Sequence, residues 1–249
     1  MNAGSRKSRN ARCSFPFEHM TRVILALLLV CSTVVAGEIN WPAELAAMPL
    51  GTNVSVLNQT NCAESLLSRF QSNSAVKALI FMPGATDELY FFRRVQISLA
   101  NTNPTMLDAV VALTNQSPLS ITNRGGFLLI YSSEDVLDLD IKIQHENTAE
   151  KLRAGKRLPH LLFMDRDWTQ FLAATQKQIS TRLWPFPLTK ESWHFYRHTF
   201  KSWNLTPWET LQAAAYSGKT KFTVVRGQVN FELDERVNQI PKLDRFPGR

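Results

Sequence analysis

Residues 95–131 decide the fold, and they read VQISLANTNPTMLDAVVALTNQSPLSITNRGGFLLIY. The order of apolar and polar residues predicts a strand, a helix that begins within NPTMLDAV at residues 103–110, and then two strands. A similar order returns at residues 204–233, where NLTPWETL precedes KFTVVRGQVNFEL. A fainter copy, NCAESL, occupies residues 61–66. The chain is therefore predicted to repeat one small unit of strands and a helix.

Each copy of this unit has the residue spacing of a helix capping box. In such a box the N-cap side chain accepts a hydrogen bond from the amide three residues on, and the side chain at that third position accepts one from the N-cap amide. The predicted pairs are Asn61 with Glu64, Thr105 with Asp108, and Thr206 with Glu209. We expect a structural role for these six residues.

Turn signals place hairpins after two of the predicted helices. Apolar residues alternate on both sides of the turn at residues 123–126, which contains two glycines, and on both sides of Gly227. Glycine between two alternating runs is typical of a β-hairpin. The predicted fold class is α+β, with repeated βαβ(β) units whose small sheets pack against amphipathic helices, plus a helical insertion.

The N-terminal stretch has the composition of a targeting segment. Residues 23–37 form an uncharged apolar run, and five basic residues precede it. This run is short for a membrane-spanning helix, so we predict a secretion signal over residues 1–37, with Met20 as an alternative start. An uncleaved anchor at residues 23–37 is the main alternative, and a lipoprotein signal at Cys31 is a lesser one.

The rest of the chain divides into segments by motif and composition. We predict a pair of βαβ units at residues 38–133 and a linker strand with a helical insertion at residues 134–191. A third βαββ unit follows at residues 192–233, and a flexible tail at residues 234–249.

Of three cysteines only Cys62 lies beyond the predicted signal, which excludes an internal disulfide in the remainder. Removing the signal leaves 23 basic and 20 acidic residues, so the net charge falls from +7 to +3. This weak charge does not favour a nucleic-acid partner.

The repeated unit resembles the short N-terminal domain shared by secretins and TonB-dependent receptors. The resemblance covers residues 53–131 as a pair of units and residues 198–233 as a third. It implies a small non-catalytic module of the bacterial envelope that makes protein contacts. The chain departs from that family because no long barrel segment or secretin pore domain follows residue 131, so the resemblance implies neither transport nor secretion.

Several side chains offer alternatives to a purely structural interpretation. Asp165 and Asp167 follow an apolar segment, and two carboxylates there are able to bind a divalent cation and a phosphate or glycan substrate. The competing hypothesis is a turn with Asp167 as the N-cap of the next helix.

His194 and His198 have the spacing of zinc ligands on a helix, but no third ligand is near in sequence, which favours a structural role. Basic residues at 151–157 and in the C-terminal half are compatible with a glycan, lipid or nucleic-acid surface, or with a solvated face.

The sequence contains no G-x-S-x-G motif and no phosphate-binding glycine loop, and it indicates no cofactor. We therefore predict a secreted or periplasmic module that contacts another envelope protein, with no nucleic-acid partner. In this prediction the membrane is contacted only through the N-terminal segment, if it is uncleaved. The alternative is a metal-dependent envelope enzyme that acts through Asp165 and Asp167 on a glycan or phosphate substrate.

Overall fold

Residues 39–249 form one unit in a computed structural model of the chain. The structure describes residues 40–51, 56–57, 62–71, 75–82, 97–117, 119–131, 137–185 and 197–234. The predicted signal segment, nearly all of the predicted tail, Asn61 and His194 lie outside the described residues. Within these ranges, no helix has the length and apolar character needed to cross a bilayer.

The described chain mixes helices with strands, and this confirms the predicted α+β class. The helices are α1 (Trp41–Ala46), α2 (Cys62–Arg69), α3 (Met106–Gln116), α4 (Glu146–Ala154), α5 (Trp168–Thr175) and α6 (Pro207–Gly218). The strands are β1 (Val56–Leu57), β2 (Ala78–Met82), β3 (Ile97–Ser98), β4 (Ser120–Arg124), β5 (Phe127–Tyr131), β6 (Ile141–Ile143), β7 (Leu158–Asp167), β8 (Arg182–Pro185), β9 (Arg197–Leu205), β10 (Thr220–Val225) and β11 (Gln228–Leu233).

Two mixed sheets organise these elements. The first has five strands in the order β4-β5-β2-β9-β7, and the second has four in the order β6-β10-β11-β8. Strand β2 is parallel to β5 and antiparallel to β9, so it is central in the first sheet. Strands β1 and β3 form a separate antiparallel pair. The unit β9-α6-β10-β11 therefore contributes strands to both larger sheets.

The five-stranded sheet is buried on both faces at its centre. Alternate residues of β2 belong to different hydrophobic clusters: Ala78, Ile80 and Met82 to one, and Leu79 and Phe81 to the other. Since successive side chains of a strand point to opposite faces, β2 separates the two clusters. One cluster includes residues of α1, α2 and α3, and the other includes residues of α4, α5, α6 and the second sheet.

Local sequence signals explain where the helices and hairpins begin. Both bonds of a capping box are present at Thr105 with Asp108 and at Thr206 with Glu209, and α6 has a proline in its first turn. Asn61 lies outside the described residues, while Glu64 lies in the first turn of α2. The two hairpin turns contain glycines with positive φ, at Gly125, Gly126 and Gly227, a conformation that glycine adopts without steric cost.

The segment predicted as a linker strand and helical insertion contains more strand than expected. Strand β7 continues through Asp167, three residues beyond the predicted apolar segment, because β9 pairs with it along most of this length. Within the described residues 137–144, the predicted linker strand is formed at residues 141–143. Helix α4 buries Thr148, Ala149 and Leu152 on one side.

Candidate functional site

Asp165 lies in an irregular part of β7, where the pairing with β9 shifts register between Phe163 and Arg166. Its φ of 52° is in the left-handed region. Its Oδ1 atom lies 3.3 Å from Nε of Arg197, whose guanidinium also donates a 2.9 Å hydrogen bond to the backbone carbonyl of Asp165. The backbone amide of Asp165 donates to Oγ1 of Thr199. Asp165 therefore helps to hold the irregular end of β7 against β9.

Asp167 is the N-cap of α5, as the structural hypothesis for this residue predicts. Its Oδ1 atom accepts a 2.9 Å hydrogen bond from the amide of Gln170, and the side chain of Gln170 accepts a bond from the amide of Asp167. A cation bound by both aspartates would compete with the Gln170 amide for the carboxylate of Asp167, and with Arg197 for that of Asp165. Within the ranges that the structure describes, no group of three or more His, Cys, Asp or Glu side chains is arranged to hold a metal ion.

We expect Asp165→Asn to lower the free energy of unfolding by about 0.2–1 kcal/mol, the usual range for one partly exposed ion pair. Asparagine is the appropriate replacement because it tolerates the left-handed backbone of this position. Urea unfolding measures the change, and calorimetric titration with Mg²⁺ and Mn²⁺ tests the alternative enzyme hypothesis. Saturable metal binding by the wild type that Asp165→Asn abolishes would contradict the structural role.

His198 lies on β9 and its side chain is fully buried. Its ring is surrounded by four aromatic rings, with centroid distances of 4.4 Å to Trp168, 4.8 Å to Phe171, 6.4 Å to Phe163 and 6.5 Å to Phe200. Both ring nitrogens are buried without a hydrogen-bond partner. Burial lowers the pKa of His198 from 6.5 to about 3, against an opposing effect of the Asp167 carboxylate. His198 is thus a neutral residue of the core.

Cys62 lies in the first turn of α2, where a helix dipole favours a thiolate. Its side chain is nevertheless buried, and burial raises its pKa to about 12. The thiol is therefore protonated at neutral pH, so Cys62 is a small buried residue of the core and a poor nucleophile.

Two further carboxylates belong to the capping boxes. Hydrogen bonds from the amide and hydroxyl of Thr105 lower the pKa of Asp108. Burial acts to raise the pKa of Glu209, but hydrogen bonds from Lys77 and Thr206 outweigh it and lower that pKa. Nζ of Lys77, which lies directly before β2, is 2.6 Å from Oε1 of Glu209. Glu209 therefore caps α6 and also joins this helix to the five-stranded sheet.

Most of the basic side chains singled out in the sequence have a structural partner. The guanidinium of Arg157 donates to the carbonyl of Asn204, that of Arg153 lies 4.7 Å from the Trp208 ring centroid, and that of Arg182 lies 4.6 Å from the Trp184 ring centroid. The Arg157 contact reaches the backbone of β9, whereas the contacts of Arg153 and Arg182 are made with side chains of α6 and of the second sheet. The arrangement favours the solvated-face interpretation of the basic residues.

A mixed apolar and basic surface lies on one face of the β7–β9 pair. We name it the Trp203 patch; its members are His160, Leu162, Met164, Lys201 and Trp203. Cross-strand pairing places Leu162 opposite Lys201 and His160 opposite Trp203, and alternation puts all five on the same face. Leu162 is 39% exposed, and Trp203 and Met164 are half-buried beside the cluster formed with α1–α3.

The Trp203 ring organises the patch. Its centroid lies 5.2 Å from that of Phe70 and 5.4 Å from that of His160. Nζ of Lys201 lies 4.9 Å from the Trp203 ring centroid and donates a hydrogen bond to the carbonyl of Ser68. The strand pairing brings the residues of β7 to the same surface as Lys201 and Trp203 of β9.

Comparison of the chain with protein-family models, with curated proteins and with solved structures gave no match.

Proposed function

We propose that this chain is a non-catalytic module of the cell envelope, secreted or periplasmic, that makes protein–protein contacts through the Trp203 patch. The observation that carries the proposal is the patch itself, in which an exposed leucine, a half-buried tryptophan and a lysine share one face of the β7–β9 pair. Tryptophan is enriched among the residues that contribute most of the binding energy at protein interfaces.

Three of the four edge strands of the two larger sheets, β6, β7 and β8, are less suited to a partner than this face. Strand β7 contains Pro159 and a register shift, β8 ends at Pro185, and β6 has only three residues. Proline, irregular pairing and short length all hinder the addition of a strand from another chain. A partner that docks by side chains on the patch is therefore favoured over one that extends a sheet at β6, β7 or β8.

The chemistry of the patch specifies the partner segment. The Lys201 amine lies above the Trp203 ring, and partial burial lowers the pKa of Lys201. A carboxylate from the partner would compensate this burial, while an apolar partner side chain would cover Leu162 and the exposed part of Trp203. We therefore expect a protein segment with an acidic residue next to an apolar one.

We expect Leu162→Glu to weaken partner binding at least tenfold, because it places a negative charge in the apolar part of the patch next to the acidic partner segment. The chain starting at Glu38 is immobilised, incubated with envelope extract, and the captured proteins are quantified by mass spectrometry. Binding is then remeasured with the purified partner by interferometry. Leu162 is exposed, so the substitution leaves the core intact.

Trp184→Ala provides the matched control, because Trp184 is an exposed tryptophan on β8 of the other sheet. The proposal requires a partner that the wild type and Trp184→Ala retain equally and that Leu162→Glu loses. Capture of the same proteins in equal amounts by all three chains, or capture of none, would refute it.

A further inference from the structure

The contact between α5 and β9 combines a fully buried imidazole with an aromatic environment. Trp168 and Phe171 of α5 form the closest ring contacts of His198, and Trp168 also contacts Phe231 of the second sheet, with a centroid distance of 4.7 Å. From the other side, a Cβ added at Gly218 of α6 would lie only 2.6 Å from Cε1 of His198. Water therefore has no room between Gly218 and the ring.

The neutral imidazole is the form that this environment accepts. A protonated ring would bring a full charge and two N–H donors into a place where neither nitrogen has a partner. No member of α5, which reads WTQFLAAT, is able to ionise. Protonation therefore requires either the loss of this packing or the entry of water.

The charged groups around His198 do not offset this cost. From β7, Asp167 attracts the proton, but its carboxylate already caps α5, and Asp165 is paired with Arg197 of β9. Arg166 is the cross-strand partner of His198 and carries a positive charge. At the end of α6, the buried phenol of Tyr216 lies two residues before Gly218, and Lys219 directly follows it. Among the described residues, the negative charge that acts on the ring is that of Asp167, and it is thus committed to the helix cap.

We propose that His198 makes the α5–β9 contact an acid-sensitive latch, in which protonation of the imidazole releases α5 from β9 while the centre of the five-stranded sheet stays folded. Release is local because the β7–β9 pairing is already irregular next to α5, between Phe163 and Arg166. On the other side of the latch, a 2.7 Å hydrogen bond from the Thr199 amide to Oγ of Ser217 holds α6 on β9 independently of α5.

The direction of the pH effect follows from linkage. The open state binds a proton at the ordinary histidine pKa of 6.5, whereas the closed state does so only at about 3. Stability of the contact is therefore complete above pH 6.5 and is lost as the pH falls from 6.5 towards 3. The opening equilibrium constant should increase about fiftyfold between about pH 6.5 and pH 4.5, or about sevenfold per pH unit on average.

Hydrogen exchange followed by mass spectrometry tests the latch, with rates corrected for the intrinsic pH dependence of exchange. We expect the protection factors of the α5 amides to fall about fiftyfold when the pH is lowered from about 6.5 to about 4.5. The protection factors of the α3 amides should stay unchanged. In His198→Phe, which keeps an aromatic ring but has no titratable group, α5 should remain protected. Equal loss of protection in α3 and α5, or the same loss in His198→Phe as in the wild type, would overturn the proposal.

A second measurement on the wild type removes dependence on the folding of the variant. The imidazole of His198 is followed by nuclear magnetic resonance through a pH titration. A ring that stays neutral while α5 is protected supports the latch. A ring that titrates near pH 6.5 with α5 still protected would refute it.

Discussion

Trp168→Ala is expected to lower the free energy of unfolding by about 4 kcal/mol, within the range observed for truncating fully buried tryptophans. The Trp168 side chain is fully buried and lies between the sheets, touching His198 of the first and Phe231 of the second. Alanine would remove these contacts together and leave a cavity where α5 meets both sheets. Urea unfolding followed by far-ultraviolet circular dichroism measures the loss without relying on tryptophan fluorescence.

The matched control for this prediction is again Trp184→Ala. Trp184 is the same residue type, but it is 45% exposed at the edge strand β8, so its truncation should cost less than about 1 kcal/mol. Trp168→Phe should lie between the two, because it keeps a ring in the cluster and removes an indole N–H that has no hydrogen-bond partner. Similar losses for Trp168→Ala and Trp184→Ala would mean that the sheets are not joined through Trp168.

Local features of the fold could be predicted from the sequence because their causes are local. Thr105 and Asp108 form a capping box through atoms three residues apart, and the turn at Gly125 needs only a backbone that glycine permits. Asp167 was predicted as an N-cap by the same logic, and its bonds to Gln170 have this geometry. Such signals depend on a few neighbouring residues, so one sequence is sufficient to detect them.

The assembly of the sheets depends on contacts that the sequence does not encode locally. The described part of the segment predicted as a third unit begins with β9, which lies between β2 and β7 of the first sheet. Leu79 pairs with Lys201, more than a hundred positions later. Periodicity indicates which face of a strand is apolar, but it contains no information on which strand will be its neighbour.

The candidate sites show the same difference between local signals, which the sequence reveals, and contacts between distant segments, which it does not. The role of Asp167 was accessible from its position before α5, whereas the environment of His198 was not. Alternation of His198, Phe200 and Ser202 along β9 is a signal for a shared buried face, and all three are buried. That signal does not reveal the rings of α5 around the imidazole. Likewise, the Trp203 patch exists only because β7 pairs with β9 in this register.

Gly218→Ala is expected to lower the free energy of unfolding by about 2 kcal/mol, although the same change inside a helix normally stabilises it. The new Cβ would lie 2.6 Å from Cε1 of His198 and 3.0 Å from Cζ2 of Trp168. Both rings are fully buried, so neither is able to move aside without disturbing the α5–β9 contact. Overlap at the ring therefore outweighs the gain in helix propensity.

A double-mutant cycle separates this steric cause from a general weakness of α6. His198→Ala removes the closer of the two rings, so Gly218→Ala in that background should cost less than about 0.5 kcal/mol or be slightly stabilising. The resulting coupling of about 2 kcal/mol is large for two residues in contact and has a sign that only relief of overlap explains. If Gly218→Ala were equally destabilising with and without the imidazole, the tight packing of α6 on His198 would be refuted, and with it the exclusion of water on which the acid latch depends.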